Sequence, residues 1–217
     1  MKTLLLTIAM FALVACGNTS QQLETKTKQG KTMTMTQNEI KTLSFDELFV
    51  AADVQTLGDP FAIGKDFSVL TAGDADHYNS MVASWGGWGI LFERPSIYHL
   101  LRSNRYTLEL MRKNNTYTVA LFPEEYKEQI MIFGGSSGRD SNKMKETTLT
   151  AVATPAGNMT YKEAAVVLEC KLSEITTVSP DDFLNESDKQ FVVEAHAETG
   201  EYHKMIFSEI TNVWIRK

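Results

Sequence analysis

The chain has 217 residues, 43% hydrophobic and 22% charged, with a net charge of −6 and a pI near 5.3. That is enough chain for one sizeable core and too little for two. The acidic balance, with basic residues spread out rather than gathered into a stripe, argues against a nucleic-acid partner.

Met1-Lys2 is followed by TLLLTIAMFALVA, an apolar run too short for a resident membrane helix. A charged start, a short apolar core and a small residue before the break predict an export signal over residues 1–15. Leu13-Val14-Ala15-Cys16 resembles a bacterial lipobox. That resemblance implies Cys16 as the lipidated first residue of a mature lipoprotein, anchored in the cell envelope with its domain outside the cytoplasm. A plain signal peptide with an incidental cysteine is the alternative. Residues 16–42 are rich in Thr, Lys and Gln and poor in large apolar groups, which predicts a flexible tether. Two dozen coil residues reach roughly 25–30 Å.

Ser44-x-x-Glu47 has capping-box spacing and predicts a helix over about 45–54. Phe67–Ala72 alternates as a strand ending at Gly73-Asp74. From Asn79 to Thr107 the pattern predicts an apolar strand, a Gly86-Gly87 turn bracketed by Trp85 and Trp88, a strand broken by Pro95, and the basic step Arg102-Ser-Asn-Arg105-Tyr-Thr107. Thr107–Lys113 reads as a helix with Thr107 at its N-cap. Thr116–Phe122 reads as a strand and Pro123–Phe133 as a helix with Pro at its first position. A polar Gly134–Asp140 loop leads to Asn142 and Lys143. Thr147–Thr154, Val166–Ile175, Gln190–His196 and His203–Ile215 are further strand candidates. Short β segments with two or three helices, and no regular strand–helix alternation, predict an antiparallel barrel.

With Cys16 lipidated, Cys170 has no intramolecular partner, and its alternation with Val166 and Leu168 predicts a buried structural thiol. No Gly-x-Gly-x-x-Gly after a strand, P-loop, HExxH or paired CxxC occurs. His77, His99, His196 and His203 stand at no metal-ligand spacing, each read singly as a surface or satisfied core residue. What remains is equipment for an anion: Arg102, Arg105, Arg139 and Lys143 flank turns holding Gly, Ser and Thr, and Thr107 opens a helix. With Trp85 and Trp88 beside glycines, this suits an aromatic phosphorylated ligand. Taken on the residues alone, a barrel core for the tryptophans and a solvated face for the basic residues are the stronger accounts.

From about Pro60 to Lys217 the chain resembles the flavin reductase-like, FMN-binding split β-barrel proteins, flavoredoxin among them. The stretches that carry the likeness are Leu70-Thr-Ala-Gly-Asp74, Tyr78-Asn-Ser-Met-Val-Ala-Ser-Trp-Gly-Gly87, Arg102–Thr107, Ser137–Lys143, Leu168-Glu-Cys170 and Tyr202-His-Lys-Met205. The resemblance implies a six-stranded antiparallel Greek-key split barrel over 43–217. It also implies noncovalent FMN near the interface of a homodimer, with hydride or electron transfer through the flavin. By the same likeness Asn79, Ser84, Trp85 and Gly86 would shape the ring side, Arg105, Thr107, Ser137 and Lys143 would hold the phosphate, and His203 would lie near the flavin. Val82 stands where the family usually has Thr, and Ser208 where Gly is common. No side chain is assigned a catalytic role. A non-catalytic exported FMN carrier or sensor is the alternative function, and an exported enzyme would need an unidentified electron donor and acceptor.

Overall fold

The computed structural model describes residues 35–59, 62–63 and 68–217. The expected signal peptide, lipidated Cys16 and most of the tether lie outside these residues. The tether's end does not: Gln37–Thr42 is a helix (α1) closed by a Thr36/Glu39 capping box, with Ile40 buried. One well-placed isoleucine and a reciprocal cap outweigh a composition that reads as coil. The Ser44/Glu47 capping box is present, but the helix it opens (α2, Phe45–Leu48) is shorter than expected and turns at once into strand β1, Phe49–Ala52. Phe45, Leu48 and Phe49 are all buried, and each contributes roughly 1.5–3 kcal/mol of burial.

The remaining strands are β2 (Ser68–Gly73), β3 (Tyr78–Ala83), β4 (Gly86–Leu91), β5 (Arg94–Arg102), β6 (Thr116–Leu121), β7 (Ala151–Ala153), β8 (Met159–Tyr161), β9 (Val166–Thr177) and β10 (His203–Arg216). Helices α3 (Tyr106–Asn114), α4 (Lys127–Gly135) and α5 (Glu186–Ala195) fall between them. The main sheet runs β3-β2-β6-β9-β10-β5-β4, all antiparallel, with β1 added along β10; β7 and β8 form a separate pair. This is the expected split-barrel type of fold, with eight strands in the sheet among the described residues instead of six.

β10 does most of the joining. Its 14 residues pair with β5 at one end, with β1 at the other and with β9 along most of the length, with register shifts at Phe207/Ser208 and Ile210/Asn212. Such shifts bend a strand, so one strand can pair with three others along a curved sheet. β2 is buried throughout because both of its faces are covered. Leu70 and Ala72 point into one core with Leu108 and Met111 of α3, while Val69 points into a second core with Ile130 and Phe133 of α4.

Three expectations are corrected. Gly86-Gly87 is not a turn but the start of β4; the turn is Phe92-Glu93, both left-handed with φ of 50° and 61°. The N-cap of α3 lies two residues earlier than expected, at Arg105 instead of Thr107, and Thr107 falls in the first turn. Gln190–His196 is not a strand but the second half of α5, capped by Asn185, whose side chain accepts from the Asp188 amide. No residue of α5 is buried, so it lacks the apolar stripe by which a helix announces itself.

Candidate functional site

Three segments meet beside β3: the Arg102–Thr107 step into α3, the C-terminal end of α4, and the 136–143 loop. Between them lies a cleft of about 310 Å³ whose lining includes Asn79, Val82, Arg105, Thr107, Ser137 and Lys143. Five of the nine expected ligand residues (Asn79, Arg105, Thr107, Ser137 and Lys143) are thus brought together from three separate stretches of chain. A second cleft, of about 540 Å³, shares Asn79, Gly138 and Lys143 with the first.

Asn79 is buried on β3 and donates from Nδ2 to Thr107 Oγ1 at 2.7 Å, so the sheet and the first turn of α3 hold each other. Thr107 therefore works from inside the helix rather than from its cap. The cap residue, Arg105, makes no side-chain capping bond, which leaves the positive end of the α3 dipole directed at the cleft. Gly138 packs against Asn79 so closely that a Cβ would lie 1.9 Å from its Oδ1. Only glycine permits that approach.

Arg139, expected to serve an anion, is otherwise engaged. Its guanidinium donates to the Asn104 carbonyl at 2.9 Å, pairs with Glu109 and lies over the Tyr106 ring, 5.0 Å from the centroid. It straps the loop to α3. Lys143 is buried and donates to the carbonyls of Phe133 (2.7 Å) and Ser136 (2.9 Å) at the end of α4. Two of its three donor positions thus serve the helix terminus.

The electrostatics identify what this cleft lacks. Burial, then the nearby Arg105 charge, pushes the Lys143 ammonium down to about 8, with Glu146 opposing only in part. Burial and Arg102 lower Arg105 as well. Partly desolvated cations that repel one another form a receptor that an anion would relieve. A phosphate group fits this chemistry: charge, a helix N-terminus and the hydroxyls of Thr107 and Ser137 converge on one cleft. Val82 supplies part of its apolar wall.

The other four expected residues lie outside this cleft. Ser84 and Trp85 form the corner between β3 and β4, with the Trp85 carbonyl accepting from the Leu100 amide at 3.0 Å. Trp85 is 48% exposed, and its ring lies 5.0 Å from that of His203 at a 34° tilt. Arg105 is the electrostatic link between the two groups, since its charge acts on both Lys143 and His203. At Gly86 the space a side chain would need is filled by β5: a Cβ would lie 2.3 Å from the Tyr98 carbonyl and 2.9 Å from His99 Nδ1. Packing of its own chain accounts for that glycine without a ligand.

Two of the four histidines read singly from the sequence are in contact with each other: His196, at the end of α5, bonds His203 ring to ring. His99 is buried with neither ring nitrogen partnered, and burial pushes it down to about 3. Cys170 is the buried structural thiol expected, its thiol pushed well up by burial.

Residues 62–217 match the family model described as "Flavin reductase like domain". No curated protein matches the chain. Among solved structures, the FMN-binding domain of a flavin reductases-like enzyme from Shewanella baltica OS155 superposes with a TM-score of 0.56 at 13% identity, over 77% of this chain and 76% of that one. Flavoredoxin of Desulfovibrio vulgaris (Miyazaki F) gives 0.53 at 20% identity, over 76% of each chain. The NADH:FAD oxidoreductase of Streptomyces globisporus C-1027 gives 0.52 at 12% identity, over 70% of this chain and 78% of that one. At such identities the likeness is one of fold.

Proposed function

Because the chain belongs to the flavin reductase-like domain family, we propose that it binds FMN noncovalently and works as an FMN-dependent oxidoreductase. The observation that carries this reading is the cleft where burial and the Arg105 charge depress the proton affinity of Lys143 beside Thr107 and Ser137. There the chain has positive charge to spare and hydroxyls to orient a phosphate.

Arg105 and the free donor of Lys143 hold the phosphate, with the α3 N-terminus behind it. Thr107, fixed by Asn79, and Ser137 orient its oxygens. Trp85 and Ser84, at the β3–β4 corner, set the ring side, and the exposed Trp85 face limits access to it. When bound, the flavin supplies the hydride and electron chemistry, while the protein fixes its plane and tunes it by nearby groups. No side chain need act as nucleophile. FMN is favoured over FAD because the charge is concentrated on one small cleft; a relative of similar fold that carries FAD in its name makes FAD the comparison to run.

The ring side is open in a single chain, and a second copy would cover it. Ile90 and Phe92, at the tip of the β4–β5 hairpin, are 73% and 82% exposed, which suits a dimer contact. The amino-terminal export signal and Cys16 support a lipid-anchored domain in the cell envelope, where cytoplasmic nicotinamide cofactors are out of reach. A membrane or small-protein donor then replaces free NADH. The same location favours a second reading, an FMN carrier or sensor without turnover.

Purified protein should be yellow and should release FMN on heating. A colourless protein that takes up neither FMN nor FAD overturns both readings. Anaerobic NADH or NADPH that bleaches the colour favours the enzyme; persistent colour favours the carrier or another donor.

A further inference from the structure

His196 and His203 arrive from different elements, the C-cap of α5 and the first residue of β10, and both are buried. His196 Nδ1 faces the Val192 carbonyl, and His196 Nε2 faces His203 Nδ1. A carbonyl only accepts, so His196 Nδ1 carries a hydrogen. With both rings neutral, His196 Nε2 is then an acceptor and His203 Nδ1 must be the donor. His203 Nε2 is left with a lone pair. Among the described residues that atom has no hydrogen-bond partner, and it is not sealed from solvent as both nitrogens of His99 are. The Trp85 ring lies against the same imidazole.

We propose that His196 is a positioning residue, which holds His203 in the Nδ1–H tautomer and presents its Nε2 lone pair beside Trp85 as a hydrogen-bond acceptor for the bound ligand. The direction of the chain of bonds follows from its anchor, one of the last carbonyls of α5, which the helix itself leaves without a partner. An acceptor at this place takes an N–H of a planar ring and disfavours a ring carbonyl, so it selects the edge by which the ring lies on Trp85. It also makes His203 a proton acceptor rather than a donor near neutral pH. The groups acting on it agree: burial first, then His196, Arg102 and Arg105, hold its pKa down to about 4. The tautomer stands without any ligand; only the ligand's identity rests on the flavin reading.

Long-range proton–nitrogen correlation spectra of the ligand-free full chain, with nitrogen-15-labelled histidine, read the tautomers directly. At pH 7 His203 should show a protonated Nδ1 and a bare Nε2. In His196→Phe this preference should be lost, and His196→Gln, whose amide oxygen still accepts, should restore it. FMN titrated into the same proteins should bind roughly three- to tenfold more weakly to His196→Phe. Combining His196→Phe with His203→Ala should cost no more than His203→Ala alone. A protonated Nε2 in the unmodified protein, or a tautomer unchanged in His196→Phe, overturns the proposal. A protein that binds no FMN overturns the flavin reading, while the spectra still decide the role of His196.

Discussion

Two polar clusters in this domain hold charge out of water in opposite ways. On β9, Glu169 is almost fully buried, yet its carboxylate accepts from Thr154, from Asn158 (2.8 Å), and from Asn212 and the Trp214 indole (3.0 Å each). Neutral donors alone complete it. Lys143 is opposed by the Arg105 charge and Arg105 by that of Arg102, and Lys143 donates only to backbone carbonyls. The first cluster is finished and serves the fold; the second is unfinished and serves a ligand. A buried charge thus becomes informative about function when its partners fail to account for it.

The largest expected effect lies in the finished cluster. Glu169→Ala strands four donors around the β9–β10 seam and should cost about 4 kcal/mol in urea unfolding, with FMN affinity of the folded fraction unchanged. Loss of affinity without loss of stability would remove the contrast.

Lys143→Met should do the reverse. Affinity for FMN should fall by about 2 kcal/mol, the worth of one charged phosphate hydrogen bond, as it should in Arg105→Ala. Stability should change by less than about 1 kcal/mol, because two carbonyl bonds are lost while repulsion with Arg105 is relieved. An affinity unchanged from that of the unmodified protein in both variants refutes the phosphate assignment.

His99 lies between the two cases, buried like Glu169 but without partners. Its folded pKa, about 3, is below the ordinary value of 6.5. The unfolded chain therefore binds a proton that the folded protein refuses, and stability falls as pH drops from 6.5. About 2 kcal/mol should be lost by pH 5, measured as denaturant midpoints against pH. His99→Leu should flatten that part of the curve.

The smallest effect is on binding at alkaline pH. Lys143 titrates near 8 in the free protein, and a bound phosphate should raise that value. Affinity should then be level below pH 8 and fall about tenfold between pH 7.5 and 9.5. A profile unmoved by Lys143→Met would detach the lysine from the ligand.

Local signals in the sequence were sufficient for much of the frame. The Ser44/Glu47 cap, the strand patterns ending at Ala72 and Phe122, and the apolar β10 run each record a neighbour-to-neighbour preference that the tertiary structure keeps among the described residues. The ligand-binding stretches were legible through their likeness to a family, not through physics alone, since arginines and tryptophans among turns suit a core or a solvated face as well.

What only the tertiary structure decided depends on groups distant in the chain. Gly86 is required by the Tyr98 carbonyl across a strand pair, and Gly138 by Asn79 some sixty residues earlier. Arg139 proved a strap because Glu109 and Tyr106 come to meet it, and two histidines read singly became a directed pair. The sequence determined most of the strands, though not the helices Gln37–Thr42 and Glu186–Ala195, and which residue types an anion would need. Folding decided which of those charges remain without a counter-charge, because desolvation and repulsion depend on what else is brought within a few ångströms, and no pattern along the chain records that.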